Sequence, residues 1–264
     1  MSLKTYPRYF IIENERTSTG TTFLVPLAIV IAGAFVAGAI WYSSATNAPT
    51  GNNQANAVAN NAQPVTTGLT QQPSITNVTP ITAEDHVIGN PNAPVKIVEY
   101  SDIECPYCKV FHNTMNRIMD VYGKDGKVAW VYRHFPIQNL HSKAVAEAVA
   151  TECVATLAGE DAFWRYLDNI FEVTPSNNGL DLALLPGMAE DVGISRQQFD
   201  GCISNADIYQ NKISNSIQNA VLSGARGTPY SVILSSDGTP KSAIDGAETF
   251  EMVQAKIEAI LNAE

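Results

Sequence analysis

The pattern of apolar and polar positions changes character along the chain. Residues 23–42 form an uncharged run, and about twenty such residues are enough for one helix to cross a bilayer. Residues 43–82 consist mainly of Asn, Ala, Gln, Thr, Ser and Pro, a composition that cannot bury enough apolar surface to fold. Regular apolar periodicity begins only near Ala83. The pattern predicts a short polar N-terminus over 1–22, a transmembrane helix, a flexible tether and one folded domain over 83–264.

The folded domain begins with a strand, a helix and a second strand. β-Branched and aromatic residues over 95–101 predict the first strand. Apolar residues recur at helical spacing over 110–122, and a glycine-rich turn at 123–126 separates this helix from a strand over 127–135. Two strands that flank one helix form a βαβ unit, whose crossover should be right-handed.

The remainder of the domain is predominantly helical. Apolar stripes predict consecutive helices over about 140–222, and Ser195 with Gln198 is a candidate capping box within them. Strands are then predicted over 230–235 and 241–245, and a closing helix over 249–261. The fold class is therefore α/β, with a helical insertion between two strand-containing halves.

The charges along the chain argue against a nucleic-acid partner and predict the orientation of the transmembrane helix. The 264-residue chain has a net charge of -10, which argues against nucleic acid as a partner. Lys and Arg residues near the uncharged run all precede it, so the positive-inside rule places the N-terminus in the cytoplasm and the domain outside. A cleaved signal peptide with small residues at 43–45 is the competing interpretation. We favour a retained anchor, because the run is longer than a usual signal core and ends at Trp41 and Tyr42.

Two cysteines stand at the junction of the first strand and its helix. In Cys105-Pro106-Tyr107-Cys108, Pro106 suits the first helical position, which places both sulfurs on one turn. A helix N-terminus favours negative charge, so the pKa of Cys105 should lie below the free value of about 8.5. Cys108 would be more buried and would resolve a mixed disulfide. A zinc half-site is the alternative, but no second Cys-x-x-Cys or paired His motif follows.

The other two cysteines fall on apolar faces of predicted helices. Cys153 and Cys202 are either inert core thiols or a structural bridge. In an exported chain we favour the bridge, because it would close a long loop and contribute about 4 kcal/mol in the entropic model. Further along, Thr228-Pro229 directly precedes a predicted strand. If this peptide bond is cis, the proline projects a backbone edge toward a neighbouring site.

These residues resemble the thioredoxin superfamily, and specifically DsbA-type thiol-disulfide oxidoreductases. The Cys105–Cys108 motif is similar to the family's active site, and Thr228-Pro229 to the cis-proline loop that faces it. The resemblance covers about residues 83–264 and implies a thioredoxin-like fold with an inserted all-helical subdomain. It also implies that Glu99 is the buried acid beneath the site, which helps to move a proton off Cys108. Tyr107 stands where the best-known members carry His.

The resulting hypothesis is a cell-membrane protein with one span and an extracytoplasmic catalytic domain. It would introduce disulfides into unfolded or reduced exported proteins, and the resemblance implies reoxidation by a quinone-coupled membrane thiol oxidase. The alternatives are a disulfide isomerase or reductase that uses the same site, and a redox-silent binding module. We predict no cofactor and no metal site. We interpret the four histidines as surface or packing residues: His86, His112, His134 and His141. Of these, His112 lies near enough in the sequence to influence the thiol of Cys105.

Overall fold

A computed structural model describes residues 72–263, which form one α/β unit. The predicted N-terminal segment, the transmembrane helix over 23–42 and the tether as far as residue 71 lie outside the described residues. Within the described range, none of the helices combines the length and the apolarity that a bilayer crossing requires.

One mixed sheet of five strands forms the centre of the unit. The strands are β1 (His86–Gly89), β2 (Val95–Ser101), β3 (Val128–His134), β4 (Tyr230–Leu234) and β5 (Pro240–Asp245). Their order across the sheet is β1-β3-β2-β4-β5, with β2 and β3 parallel and the other neighbours antiparallel. The predicted βαβ unit is therefore present. β1 was not predicted, because its four residues are too few to show a clear alternation.

The helices fall into three groups along the chain. Helix α1 (Pro106–Ile118) continues into a π-helical turn and connects β2 to β3. The insertion between β3 and β4 contains α2 (Ala144–Ala158), α3 (Glu160–Val173), α4 (Leu185–Asp191), α5 (Arg196–Ile203) and α6 (Asp207–Leu222). Helix α7 (Phe250–Leu261) follows the last strand. The capping box predicted from Ser195 and Gln198 begins α5, and the predicted helical insertion is present.

Alternate residues of the central strands face two separate cores. Ile97 of β2 and Trp130 of β3 contribute to the larger core, together with α1, α3 and α7. Val98 and Val131 contribute to a smaller core on the opposite face. This alternation follows from the two-residue period of a strand. It places Glu99 on the same face as Ile97, beneath α1.

The predicted start of the domain at Ala83 is too late. Three apolar side chains of the preceding segment pack on the smaller core: Ile75, Val78 and Ile81. The Asn77 side chain donates to the Leu222 carbonyl at 2.9 Å, and Arg133 donates to the Thr79 carbonyl at 3.2 Å. The composition of this segment suggested a tether because its apolar residues are sparse. These few residues nevertheless pack on the sheet face that carries the smaller core.

Candidate active site

The start of helix α1 holds both thiols of the Cys105–Cys108 pair. Cys105 is the N-cap residue and Pro106 occupies the first turn, as the sequence predicts. Cys105 is 6% exposed, whereas Cys108 is fully buried. Both sulfurs are free thiols, and the Asp102 amide donates to the Cys108 sulfur at 3.4 Å. The side chain of Tyr107 between them is 67% exposed, so it forms part of the surface around the site.

The pKa values of the two thiols are shifted in opposite directions. A hydrogen bond from Cys108 and contributions from Thr228 and the backbone amides of Cys108 and Tyr107 outweigh burial, and lower the pKa of Cys105 from 9.0 to about 6. Burial raises the pKa of Cys108 well above its ordinary value, and the interaction with Cys105 raises it further. One sulfur is thus an anion at neutral pH while the other retains its proton.

The loop before β4 lies against the outer sulfur. The Thr228–Pro229 peptide bond is cis, and Cys105 Sγ lies 3.4 Å from the Thr228 carbonyl oxygen, to which it donates only when it is protonated. The register of β4 beside β2, with Tyr230 opposite Tyr100, brings this loop to the same edge as α1. The Thr228 hydroxyl is buried and has no hydrogen-bond partner among residues 72–263. It is therefore available to the Cys105 thiolate.

Glu99 lies in the fully buried layer beneath Cys108. Trp130 Nε1 donates to Glu99 Oε2 at 2.8 Å, while Oε1 finds no hydrogen-bond partner within the described range. Burial raises the pKa of Glu99 from 4.5 to about 7, against the opposing effects of Ser101 and Trp130. The Ser101 hydroxyl lowers the pKa of both Glu99 and Cys108, although it makes no hydrogen bond within the described range. The carboxyl, this hydroxyl and the inner thiol therefore belong to one buried polar group.

Two acidic residues outside the predicted site hold the loop before Cys105. Asp102 Oδ2 contacts His141 Nδ1 at 2.8 Å, and Glu104 accepts hydrogen bonds from backbone amides of Asn178 and Leu180. Behind them lies Glu147, whose pKa is raised to about 9 by burial and by the adjacent Glu104. The signal available in the sequence was the presence of two acids, Asp102 and Glu104, just before Cys105.

The four histidines are all buried and each faces a carboxylate. His112, one turn beyond Cys108, contacts Asp168 Oδ1 at 2.6 Å and stacks on Phe171. His141 faces Asp102, and His86 and His134 both face Glu152. Of the two predicted roles, surface or packing, the structure therefore excludes the surface and agrees with packing, because each imidazole occupies a polar position inside the domain.

The second pair of cysteines forms a disulfide in the helical insertion. Cys153 and Cys202 are joined with an S–S distance of 2.03 Å, and the bridge links α2 to α5. Cys202 Sγ also contacts the Tyr209 hydroxyl of α6 at 3.4 Å. The structure thus places this bridge in the helical layer, while Cys105, Cys108, Glu99, Thr228 and Pro229 belong to the candidate site.

Comparison with known proteins places this arrangement in a family. A profile of the family described as Thioredoxin matches residues 82–259. Among curated proteins, the chain is 29% identical over 146 residues to Na(+)/H(+) antiporter NhaA 1 of Mycolicibacterium gilvum (strain PYR-GCK). That match covers 55% of this chain and 22% of the antiporter. The chain therefore spans less than a quarter of the length of this relative.

Two solved structures have the same fold over most of the described residues. Wolbachia pipientis alpha-DsbA1 is similar with a TM-score of 0.61 and 23% identity, over 71% of this chain and 96% of that one. Pseudomonas aeruginosa DsbA2 is similar with a TM-score of 0.57 and 25% identity, over 69% of this chain and 97% of that one. The predicted DsbA-type fold with its helical insertion is confirmed.

Proposed function

This chain belongs to the thioredoxin family, and from that premise we propose that it is a membrane-anchored thiol-disulfide oxidoreductase that introduces disulfides into exported proteins. One observation carries the proposal. Cys105 at the helix N-terminus has a pKa lowered to about 6, while Cys108 one turn further in has a raised pKa. A pair with this asymmetry favours its reduced state, because the thiolate of the reduced form is stabilised.

The exchange proceeds in two thiolate attacks. In the first, a substrate thiolate attacks Cys105 Sγ of the Cys105–Cys108 disulfide, and Cys108 leaves and takes up a proton. In the second, another substrate thiolate attacks the substrate sulfur of the mixed disulfide, and Cys105 leaves as a thiolate. The substrate loses two electrons and gains one disulfide. The enzyme gains the two electrons and becomes the dithiol.

Glu99 is suited to supply the proton that Cys108 requires. Its pKa of about 7 keeps a substantial protonated fraction at neutral pH, and the Ser101 hydroxyl lowers the pKa of both this carboxyl and the inner thiol. Cys108 has a raised pKa and is a poor leaving group as a bare thiolate in the buried layer. Protonation from Glu99 relieves this difficulty in the oxidising direction, and the reverse transfer assists reoxidation.

The surroundings of Cys105 suit an extended and unfolded substrate. The backbone edge at Thr228–Pro229 lies beside the attacked sulfur, and a strand edge binds a peptide through main-chain hydrogen bonds with little sequence preference. Reduced exported proteins are therefore the proposed substrates. A quinone-coupled membrane thiol oxidase is the proposed reoxidant, and the uncharged run over 23–42 would keep the domain near it, on the extracytoplasmic side of the cell membrane.

A direct assay tests the activity. The full chain with an oxidised Cys105–Cys108 pair should oxidise a reduced model protein stoichiometrically, and the Cys105→Ser variant should not. The matched control is the Cys153→Ser, Cys202→Ser double variant, which removes the other disulfide and should retain exchange. If that control loses exchange while Cys105→Ser retains it, the proposal is wrong.

The reduction potential decides between the oxidase and its nearest alternative. A value well above the −270 mV of thioredoxin supports the oxidase, whereas a value near it, without oxidation of the model protein, indicates a reductase or isomerase. Accessibility of Cys105 to a membrane-impermeant thiol reagent in intact cells tests the proposed extracytoplasmic location. Labelling only after the membrane is permeabilised would contradict that location.

A further inference from the structure

Two imidazoles and one carboxylate meet in a buried position between the sheet and the helical insertion. His86 of β1, His134 of β3 and Glu152 of α2 are each 3% exposed, and their candidate ligand atoms lie within 4.8 Å of one another. We propose that this group, the His86–His134–Glu152 site, binds one divalent transition-metal ion of the zinc type. The sequence predicts no metal site here, because these residues are far apart in the chain and show no metal-binding spacing.

The distances between the donor atoms suit tetrahedral coordination. His86 Nε2 lies 3.2 Å from Glu152 Oε1, and His134 Nε2 lies 3.5 Å from the same oxygen. Ligand atoms bonded to zinc at about 2.0–2.1 Å stand roughly 3.3 Å apart at the tetrahedral angle. Small side-chain adjustments would therefore place one ion within reach of all three atoms.

An outer carboxylate supports His86 in the orientation that a metal ligand needs. His86 Nδ1 lies 3.0 Å from Glu160 Oε1. A carboxylate can only accept at this distance, so Glu160 holds a proton on Nδ1. Nε2 faces both an acceptor, Glu152 Oε1, and the Lys212 ammonium, and metal coordination requires the unprotonated form of this nitrogen. Metal-bound histidines commonly have such a carboxylate partner on the second nitrogen.

A cation already occupies part of this position. The Lys212 ammonium lies 2.8 Å from Glu152 Oε2 and 3.0 Å from His86 Nε2. An ammonium group only donates, so both neighbouring atoms act as acceptors toward a positive charge. The Lys212 side chain is 34% exposed, and it can withdraw from the two acceptors when a metal ion replaces it.

The site has an entry path and a ligand set of defined preference. A cavity of about 320 Å³ borders it and is lined by His86, His134, Glu152, Lys212 and Ser216. Two imidazoles with one carboxylate suit zinc and its neighbours in the first transition row, whereas calcium and magnesium require mainly oxygen ligands. Coordination would join β1, β3 and α2, and so would fasten the helical insertion to the sheet.

Zinc binding to the full chain tests the proposal. The chain is first oxidised so that Cys105 and Cys108 form a disulfide and cannot contribute thiolate ligands. Isothermal titration with Zn²⁺ should then show one site per chain, and Ca²⁺ and Mg²⁺ should show none. Bound Co²⁺ should give the intense visible absorption of a tetrahedral complex. Zinc should also raise the midpoint of thermal unfolding, because it binds the native state only.

Three variants identify the residues. His134→Gln should abolish one-to-one binding, and Glu160→Gln should weaken it by about 10–100-fold, as expected for an outer carboxylate. Lys212→Met should tighten binding, because the competing ammonium is gone. Lys124→Met is the matched control, since Lys124 pairs with Asp120 on the surface, and it should bind as the unmodified chain does.

The outcomes separate binding from misfolding. Lys212→Met does not depend on the stability of the ligand variants, so tighter binding by this variant supports the site even if His134→Gln fails to fold. The proposal is overturned if the oxidised chain binds no zinc. It is also overturned if a folded His134→Gln variant binds zinc normally, or if Lys212→Met binds no more tightly than Lys124→Met.

Discussion

The lowered pKa of Cys105 predicts a specific pH dependence for the redox equilibrium with glutathione. The Cys105 thiol has a pKa of about 6 against the ordinary 9.0, while Cys108 stays protonated. Below pH 6 both enzyme thiols carry protons and the equilibrium constant is independent of pH. Above pH 6 the reduced enzyme carries one proton fewer. The equilibrium constant for reduction of the enzyme disulfide by glutathione therefore rises with pH until glutathione itself ionises.

The size of the effect follows from the two pKa values. Each pH unit between about 6 and 9 is worth about 1.4 kcal/mol, or a tenfold change in the equilibrium constant. The full interval gives roughly 4 kcal/mol, equivalent to about 90 mV for a two-electron couple. At pH 7 only the first pH unit applies, so the thiolate contributes about 1.4 kcal/mol and about 30 mV.

Acid quenching and alkylation of the chain in glutathione buffers from pH 5 to 9 measure the reduced fraction. The logarithm of the equilibrium constant should be flat below pH 6 and then rise with unit slope. Thr228→Val removes a hydroxyl that helps to lower the pKa of Cys105, so the break should move to higher pH. Glu99→Gln provides a second control, because it removes the nearby carboxyl that titrates near pH 7. A constant that stays flat to pH 8 in the unmodified chain would refute the assigned acidity.

Three further predictions concern stability, each measured by urea unfolding. Burial raises the pKa of Glu99 from 4.5 to about 7, so this carboxyl should lower native stability by about 3 kcal/mol as pH rises through this interval. Glu99→Gln should make the fall smaller by that amount and leave the part that is due to Glu147, whose pKa is also raised; an unchanged profile would contradict this. Removal of the Cys153–Cys202 bridge, whose sequence separation is 49, should cost about 4 kcal/mol, and a loss below 1 kcal/mol would contradict the entropic estimate. Arg133 Nε donates to Asp85 Oδ1 at 2.7 Å in a mainly buried pair, so Arg133→Met should lower the free energy of unfolding by about 3–5 kcal/mol. The double variant that also carries Asp85→Asn should recover part of this loss.

Local sequence predicts those parts of the fold in which the local pattern and the tertiary environment agree. The central strands carry apolar residues on both faces because both faces of the sheet are covered, and the CxxC motif marks a helix start that needs no distant partner. The segment over 72–82 has no such local signal. Its few apolar residues become ordered only because the sheet supplies the surface on which they pack.

The candidate site was predictable where it depends on neighbours in the chain, and not where it depends on assembly. The spacing of Cys105 and Cys108 predicts their shared helical turn. The contact between Cys105 and Thr228 was anticipated only through a resemblance to known proteins. The meeting of His86, His134 and Glu152 depends on how β1, β3 and α2 pack together. Periodicity within each element carries no information about that meeting.

The asymmetry between the two thiols follows from their positions in the helix. Burial alone would raise the pKa of both sulfurs, because it disfavours the thiolate. At the N-cap, the Cys105 thiolate is stabilised by the Cys108 thiol, by Thr228 and by the first amides of the helix, whereas burial and the neighbouring Cys105 disfavour a thiolate at Cys108. The order of residues in Cys105-Pro106-Tyr107-Cys108 thus makes the more accessible sulfur the better leaving group. In the proposed exchange, attack on the substrate sulfur of the mixed disulfide would therefore release Cys105 readily and pass the bond to the substrate.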